Sequence, residues 1–117
     1  MHIQVNTDNQ IDGTLSIARL AQHVIVAALG RFRNRITRIE VHMSDESSKV
    51  KVRDNDKRCV LEARVAGLQP ITVSNQGALL EHTLSGAAKK LKNVLDRRLG
   101  QLDKRKGRTS FAGDEGT

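Results

Sequence analysis

The sequence predicts an α+β fold of order β-α-β-β-β-α: a four-stranded mixed sheet with two helices packed on one face. Three observations predict it. Four short segments alternate apolar and polar residues. Two longer ones repeat apolar residues at spacings of three and four. Each alternating segment has one apolar face, so the sheet needs cover on one side only, and two helices supply it.

The first strand is His2 to Asn6, with Ile3 and Val5 on one face. Asp12-Gly13-Thr14 is a turn that offers a helix N-cap. The first helix follows from about Leu15 to Arg31, with Ala18, Ala21, Ile25, Ala28, Leu29 and Phe32 recurring on one side. Gly30 and the polar Arg33-Asn34-Arg35 end it. From Ile36 to Ser44 the period returns to two: Ile39, Val41 and Met43 oppose Arg38, Glu40, His42 and Ser44. Asp45 to Asp56 is polar and charged, a loop into which Val50 and Val52 could extend a strand end. Arg58 to Ala66 alternates most regularly, with Cys59, Leu61, Ala63 and Val65 on the inward set. Gly67-Leu68-Gln69 is a tight connection, and Pro70 opens a fourth strand, Ile71 to Ser74, at a position where proline is tolerated. Ser74 or Asn75 then caps a long helix. Its apolar seam is Leu80, Leu84, Ala88, Leu91, Leu95 and Leu102, with Ala87 and Val94 on the margin.

The first β-α-β unit requires a crossover, so strands one and two should be parallel. The later strands are joined by short connections and should be antiparallel. At 117 residues the chain makes one domain, expected over residues 1–102. Residues 103–117 have no periodicity, three glycines and mixed charge, and are expected to be a disordered basic tail.

Composition narrows the function. The net charge is +7, and it lies in one segment. Ala87 to Arg108 holds nine Lys or Arg and two carboxylates, which leaves eleven basic and eleven acidic residues elsewhere. A localised basic block implies an anionic partner such as nucleic acid or anionic lipid. There is no Trp or Tyr and only Phe32 and Phe111, which argues against an aromatic platform for single strands. No run of about 18 apolar residues occurs, so no membrane span and no membrane partner are expected. The polar opening MHIQVNTDNQ is unlike a signal peptide, and the single Cys59 cannot form an internal disulfide, so a cytoplasmic location is expected.

No catalytic or metal constellation emerges. His2, His23, His42 and His82 form no i, i+4 pair with one another or with Cys59. Asp54-Asn55-Asp56 lacks the glycine and closing glutamate of a calcium loop. There is no phosphate-binding glycine loop and no nucleophile elbow. Neither an enzyme activity nor a cofactor is expected.

The last helix carries the candidate site. At about 100° per residue, Lys90, Arg97 and Lys104 fall on one flank at i, i+7 and i+14, with no carboxylate among them. This stripe continues into Arg105, Lys106 and Arg108 and can track phosphates. On the opposite flank Lys89, Lys92, Asp96 and Asp103 alternate in sign, and Lys92 with Asp96 makes an i, i+4 pair. Arg98 is read as snorkelling near the seam. Helix one differs: from Leu20 to Leu29 only His23 can carry charge, and the apolar residues cover more than one face. Either neighbours bury the excess or a partner does, which leaves open a second protein or a second copy of the chain.

The element order, the segment KRCVLEARVAGLQPITV (57–73) and the helix LSGAAKKLKNVLDRRL (84–99) together resemble the ribosome hibernation-promoting factors, also called ribosome-associated inhibitors or subunit interface proteins, in their short form. The resemblance covers about residues 1–102. It implies binding to the small ribosomal subunit near the decoding centre, through rRNA contacts from basic residues of both helices, and silencing of translation under stress. It assigns rRNA contacts to Lys90 and Arg97, with Asn93 where a third basic residue is usual and Lys92 beside it. Lys104, Arg105 and, on the first helix, Arg19 complete the expected set. Two other readings stand beside it: a general double-stranded RNA-binding domain, close in element order, and a protein-interaction module built on helix one.

Overall fold

A computed structural model describes residues 1–8, 14–45 and 56–110, and of Thr14 and residues 105–110 it describes the backbone alone. The elements are β1 (His2–Thr7), α1 (Thr14–Leu29), a 3-10 turn (Gly30–Phe32), β2 (Ile36–Asp45), β3 (Lys57–Val65), β4 (Ile71–Gly77) and α2 (Leu80–Ser110). The predicted α+β order and four-stranded mixed sheet are present. The strands lie in the order β1-β2-β3-β4. β1 is parallel to β2, with Ile3 opposite Ile39 and Val5 opposite Val41. β2 with β3, and β3 with β4, are antiparallel. Both helices follow strands that run the same way, so they return across the sheet in the same direction, side by side.

The alternation puts Ile39, Val41 and Met43 of β2 and Cys59, Leu61, Ala63 and Val65 of β3 under the helices, all buried. Ile36 is buried too, though it stands three residues before Ile39. A register irregularity between Ile36 and Arg38 absorbs the odd spacing, as a bulge does. Ala21, Ile25 and Leu29 of α1 and Leu84, Ala87, Ala88, Leu91, Leu95 and Leu99 of α2 close the core from above.

Three boundaries and one seam position differ from expectation. β4 does not stop at Ser74 but runs to Gly77, so Ser74 and Asn75 are strand residues and not helix caps. Asn75 hid this, because a polar residue occupies an inward position. Its Nδ2 donates to the Thr83 carbonyl at 3.1 Å and packs over Gly86, where a Cβ would approach it to 2.2 Å. The first turn of α2 opens instead where Thr83 N–H donates to the Leu79 carbonyl at 2.9 Å. In the seam, Leu99 takes the buried place next to which Arg98 was read, and Arg98 is exposed. Finally, α2 does not end at Leu102. That residue packs on the Gly67 turn (φ +85°) as the last α2 side chain of the core, and the helix continues to Ser110, about 12 Å further.

α1 also corrects the expectation that no segment could span a membrane. Over Leu15–Phe32 its mean hydropathy is 1.2, apolar and long enough by composition alone. The average tolerates Arg19, His23 and Arg31 within the window. Here the inward stripe of α1 lies on the sheet. The Asp12-Gly13 turn, the Val50 and Val52 extension, and Asp54 and Asn55 lie outside the described residues.

Candidate nucleic-acid interface

The outer surface of α2 presents Lys89, Lys90, Arg97, Arg98 and Lys104 to solvent, with Lys92 half-buried. The seam residues fix this orientation: once Leu84, Leu91, Leu95 and Leu99 face the sheet, the intervening lysines and arginines must point away. Lys90, Arg97 and Lys104 share one face over a rise of about 21 Å. Among the described residues, none of these six cations has a carboxylate partner. Lys90 does have a neighbour: its Nζ donates to the Ser74 carbonyl of β4 at 2.9 Å. This contact leaves its charge uncompensated, and it guards an edge strand against pairing.

The opposite flank departs from the sequence reading. Asp96 pairs with Arg31, from the turn after α1, and not with Lys92. Asp103 accepts both guanidinium nitrogens of Arg35, at 3.1 and 3.4 Å. The reason is geometric. A helix pair at i, i+4 is worth only a few tenths of a kcal/mol, so an arginine brought alongside from another element competes readily for Asp96, and at Asp103 Arg35 makes a bidentate fork with two directional hydrogen bonds. Both carboxylates expected to neutralise lysines are therefore held by arginines from another element, and Lys89 and Lys92 stay uncompensated. The segment Gly30-Arg31-Phe32-Arg33-Asn34-Arg35 is the part that sequence reasoning treated only as a helix stop. Its three arginines with no acid between them were the signal available. Arg33 is exposed and without a carboxylate partner.

Between the helices runs a groove of about 430 Å³. Val24 and Ala28 of α1 and Ala88 of α2 line it with apolar surface, and His23, Lys89 and Lys92 stand at its sides. Arg19 is exposed one turn before His23, on the same side of α1. The side chain of Arg105 lies outside the described residues; its backbone is helical.

The open face of the sheet is electrostatically different. Arg38 bonds Gln4 on one side and Glu40 at 3.0 Å on the other, and His42 stands 3.4 Å from Glu40. The hydrogen bond from Arg38 holds the Glu40 carboxyl below the usual carboxylate range. Arg58 and Arg64 of β3 also face outward there and have no carboxylate partner among the described residues, but they stand apart at the two ends of the strand, whereas α2 gathers its uncompensated cations along one helix. Among the described residues no three His, Cys, Asp or Glu side chains converge as metal ligands would.

No protein-family model matches the sequence, and no curated protein does. Comparison of folds does give matches. A ribosomal subunit interface protein from Coxiella burnetii superposes with a TM-score of 0.66, over 86% of this chain and 99% of that one, at 16% identity. The fold is that of a ribosomal subunit interface protein. The N-terminal domain of Thermus thermophilus Protein Y agrees, with a TM-score of 0.66 over 83% of this chain and 98% of that one, at 15% identity. At such identities the likeness to the subunit interface protein lies in the backbone, since cores tolerate wide apolar exchange when volume and patterning are kept. The resemblance read from residues 57–73 and 84–99 and the likeness of fold meet on the same kind of protein.

Proposed function

We propose that this protein is a ribosome-associated factor that binds the small subunit near the decoding centre through rRNA contacts, and that it silences translation and promotes hibernation under stress. One observation carries the reading: α2 presents six cations without carboxylate partners among the described residues, and its own carboxylates Asp96 and Asp103 are held by Arg31 and Arg35. Such a surface suits a phosphate backbone. The fold shared with a ribosomal subunit interface protein supports rRNA as the source of those phosphates. The decoding centre and the effect on translation follow from the resemblance in sequence. Lys90, Arg97 and Lys104 form the main contact, joined by Lys92, Arg105 and Arg19. In this reading residues 1–102 are the ribosome-binding unit and 103–117 a basic extension of it, the location is cytoplasmic, and no catalysis is involved. Sucrose-gradient profiling of cell extract tests it. The protein should travel with small subunits and 70S particles, and recovery only at the top of the gradient would overturn it. A naked RNA duplex that competes as well as small subunits would instead favour a general double-stranded RNA binder.

One observation favours a second reading. Leu15 and Val26 of α1 are 68% and 54% exposed. Another protein, or a second copy of the chain, could cover them. A strict monomer in light scattering, with no bound protein in pull-downs, removes that reading.

A further inference from the structure

The apolar first helix has one ring on its outer surface, and it stands beside two uncompensated lysines. We propose that the groove between α1 and α2 holds one unstacked nucleotide of the bound RNA, with His23 stacking on its base and Lys89 and Lys92 holding the adjacent phosphates. This rests on the RNA-binding reading above and names the contact that α1 contributes to it.

Three features point to a nucleotide. The volume of about 430 Å³ lies within the range of sites for small organic ligands. The lining is mixed in the way a nucleotide is: Val24, Ala27 and Ala28 offer apolar surface to the faces of a base, while Lys89 and Lys92 offer charge to its phosphates. The charge is complementary because Asp96, the carboxylate one turn from Lys92, is occupied by Arg31. The third feature is the ring. Unpaired bases stack on His as well as on Phe, Tyr and Trp. This chain has no Trp or Tyr, and Phe32 is buried. Its exposed rings among the described residues are histidines, and they are not equivalent. His42 stands 3.4 Å from the Glu40 carboxylate, which repels phosphate. His23 lines the groove with the two lysines. A base within a duplex cannot enter such a groove, so the target is a looped or single-stranded nucleotide. An acidic peptide would also meet the lysines, but it has no need of a ring at position 23, and that difference decides the test.

The full chain is titrated against purified small subunits and against a short labelled oligouridylate, at several salt concentrations, with H23A, H23F and K89A/K92A. His23 is exposed, so thermal melting should find both position-23 variants folded. H23A should weaken binding to both targets by roughly 5- to 150-fold, the range for losing one base–aromatic stack. H23F should restore affinity to within a few fold. The slope of log affinity against log salt should be unchanged by H23A and reduced by about 1.4 on the oligonucleotide by K89A/K92A. Wild-type affinity in H23A, or equal loss in H23A and H23F, would overturn the proposal. So would polyglutamate of equal length competing as well as the oligonucleotide. The two readings fail separately. Subunit binding that ignores His23 leaves the ribosome reading standing and removes the nucleotide. Oligonucleotide binding that needs His23 without any subunit binding does the reverse. Binding to neither target removes both.

Discussion

Gly86 and Gly100 lie on the same helix, and alanine should act oppositely at the two. Alanine gains about 1 kcal/mol over glycine in a helix interior. At exposed Gly100 nothing stands within 4 Å of a new Cβ, so G100A should keep that gain and raise Tm by about 4 °C or more. At Gly86 the Cβ would approach Asn75 Nδ2 to 2.2 Å. Displacing that amide breaks its bond to the Thr83 carbonyl, about 1 kcal/mol, and overpacking adds roughly 1–3 kcal/mol, so G86A should lower Tm. Cys59 makes a second residue-scale prediction. Burial pushes its thiol up to about 12, which leaves almost no thiolate at neutral pH. A disulfide reagent should label it only as fast as the protein unfolds; rapid native-state labelling would contradict the packing described. Lys57 bears on pH. Hydrogen bonds to Asp56 and then to Asp45 raise its pKa above the usual 10.5. The folded value is thus higher than the unfolded one, so the stabilisation is whole below about 10.5 and is lost as pH rises through the folded value. Denaturant titrations should show this alkaline decline flattened in Lys57→Met.

At the scale of elements, α2 is tied to the turn after α1 by two ion pairs, Arg31 with Asp96 and Arg35 with Asp103. Both are largely exposed, and exposed pairs are typically worth 0.2–1 kcal/mol. Their effect should therefore be local. Arg35→Ala should leave Tm nearly unchanged and speed hydrogen exchange in the last turns of α2, beyond the Leu102 contact. Unchanged exchange would mean that the helix end holds itself. These ties also mark where the sequence stops being legible. Strands and seams follow from periodicity, which is a property of neighbours in the chain, and so β2, β3 and most of the α2 core could be read directly. A pair such as Lys92 with Asp96 is visible for the same reason. Its competitor is not, because Arg31 and Asp96 stand far apart in the chain and meet only once the helices are packed on the sheet. The end of β4 was hidden differently: Asn75 points inward but satisfies its amide at the Thr83 carbonyl, a partner supplied by the next element.

For the whole molecule, the consequence is an electrostatic division. The open sheet face pairs Arg38, Glu40 and His42 among themselves and holds Arg58 and Arg64 singly, while the helical face gathers six uncompensated cations on α2. The excess of basic residues in Ala87 to Arg108 was plain in the sequence, as was the Lys90, Arg97 and Lys104 stripe. The second flank and the arginine corner were not, since which of their cations are left unpaired depends on which carboxylate pairs with which cation. Several phosphate contacts should give an affinity that falls linearly on a log–log plot against salt, with a slope of about 0.9 per contact on duplex and 0.7 on single strands. Co-sedimentation with purified small subunits across a salt series, for the wild type and for K90E/R97E, tests the account most directly. The wild type should bind with a steep salt dependence, and the double reversal should no longer pellet with subunits. Binding that ignores salt, or a double mutant that still pellets at moderate salt, would contradict it.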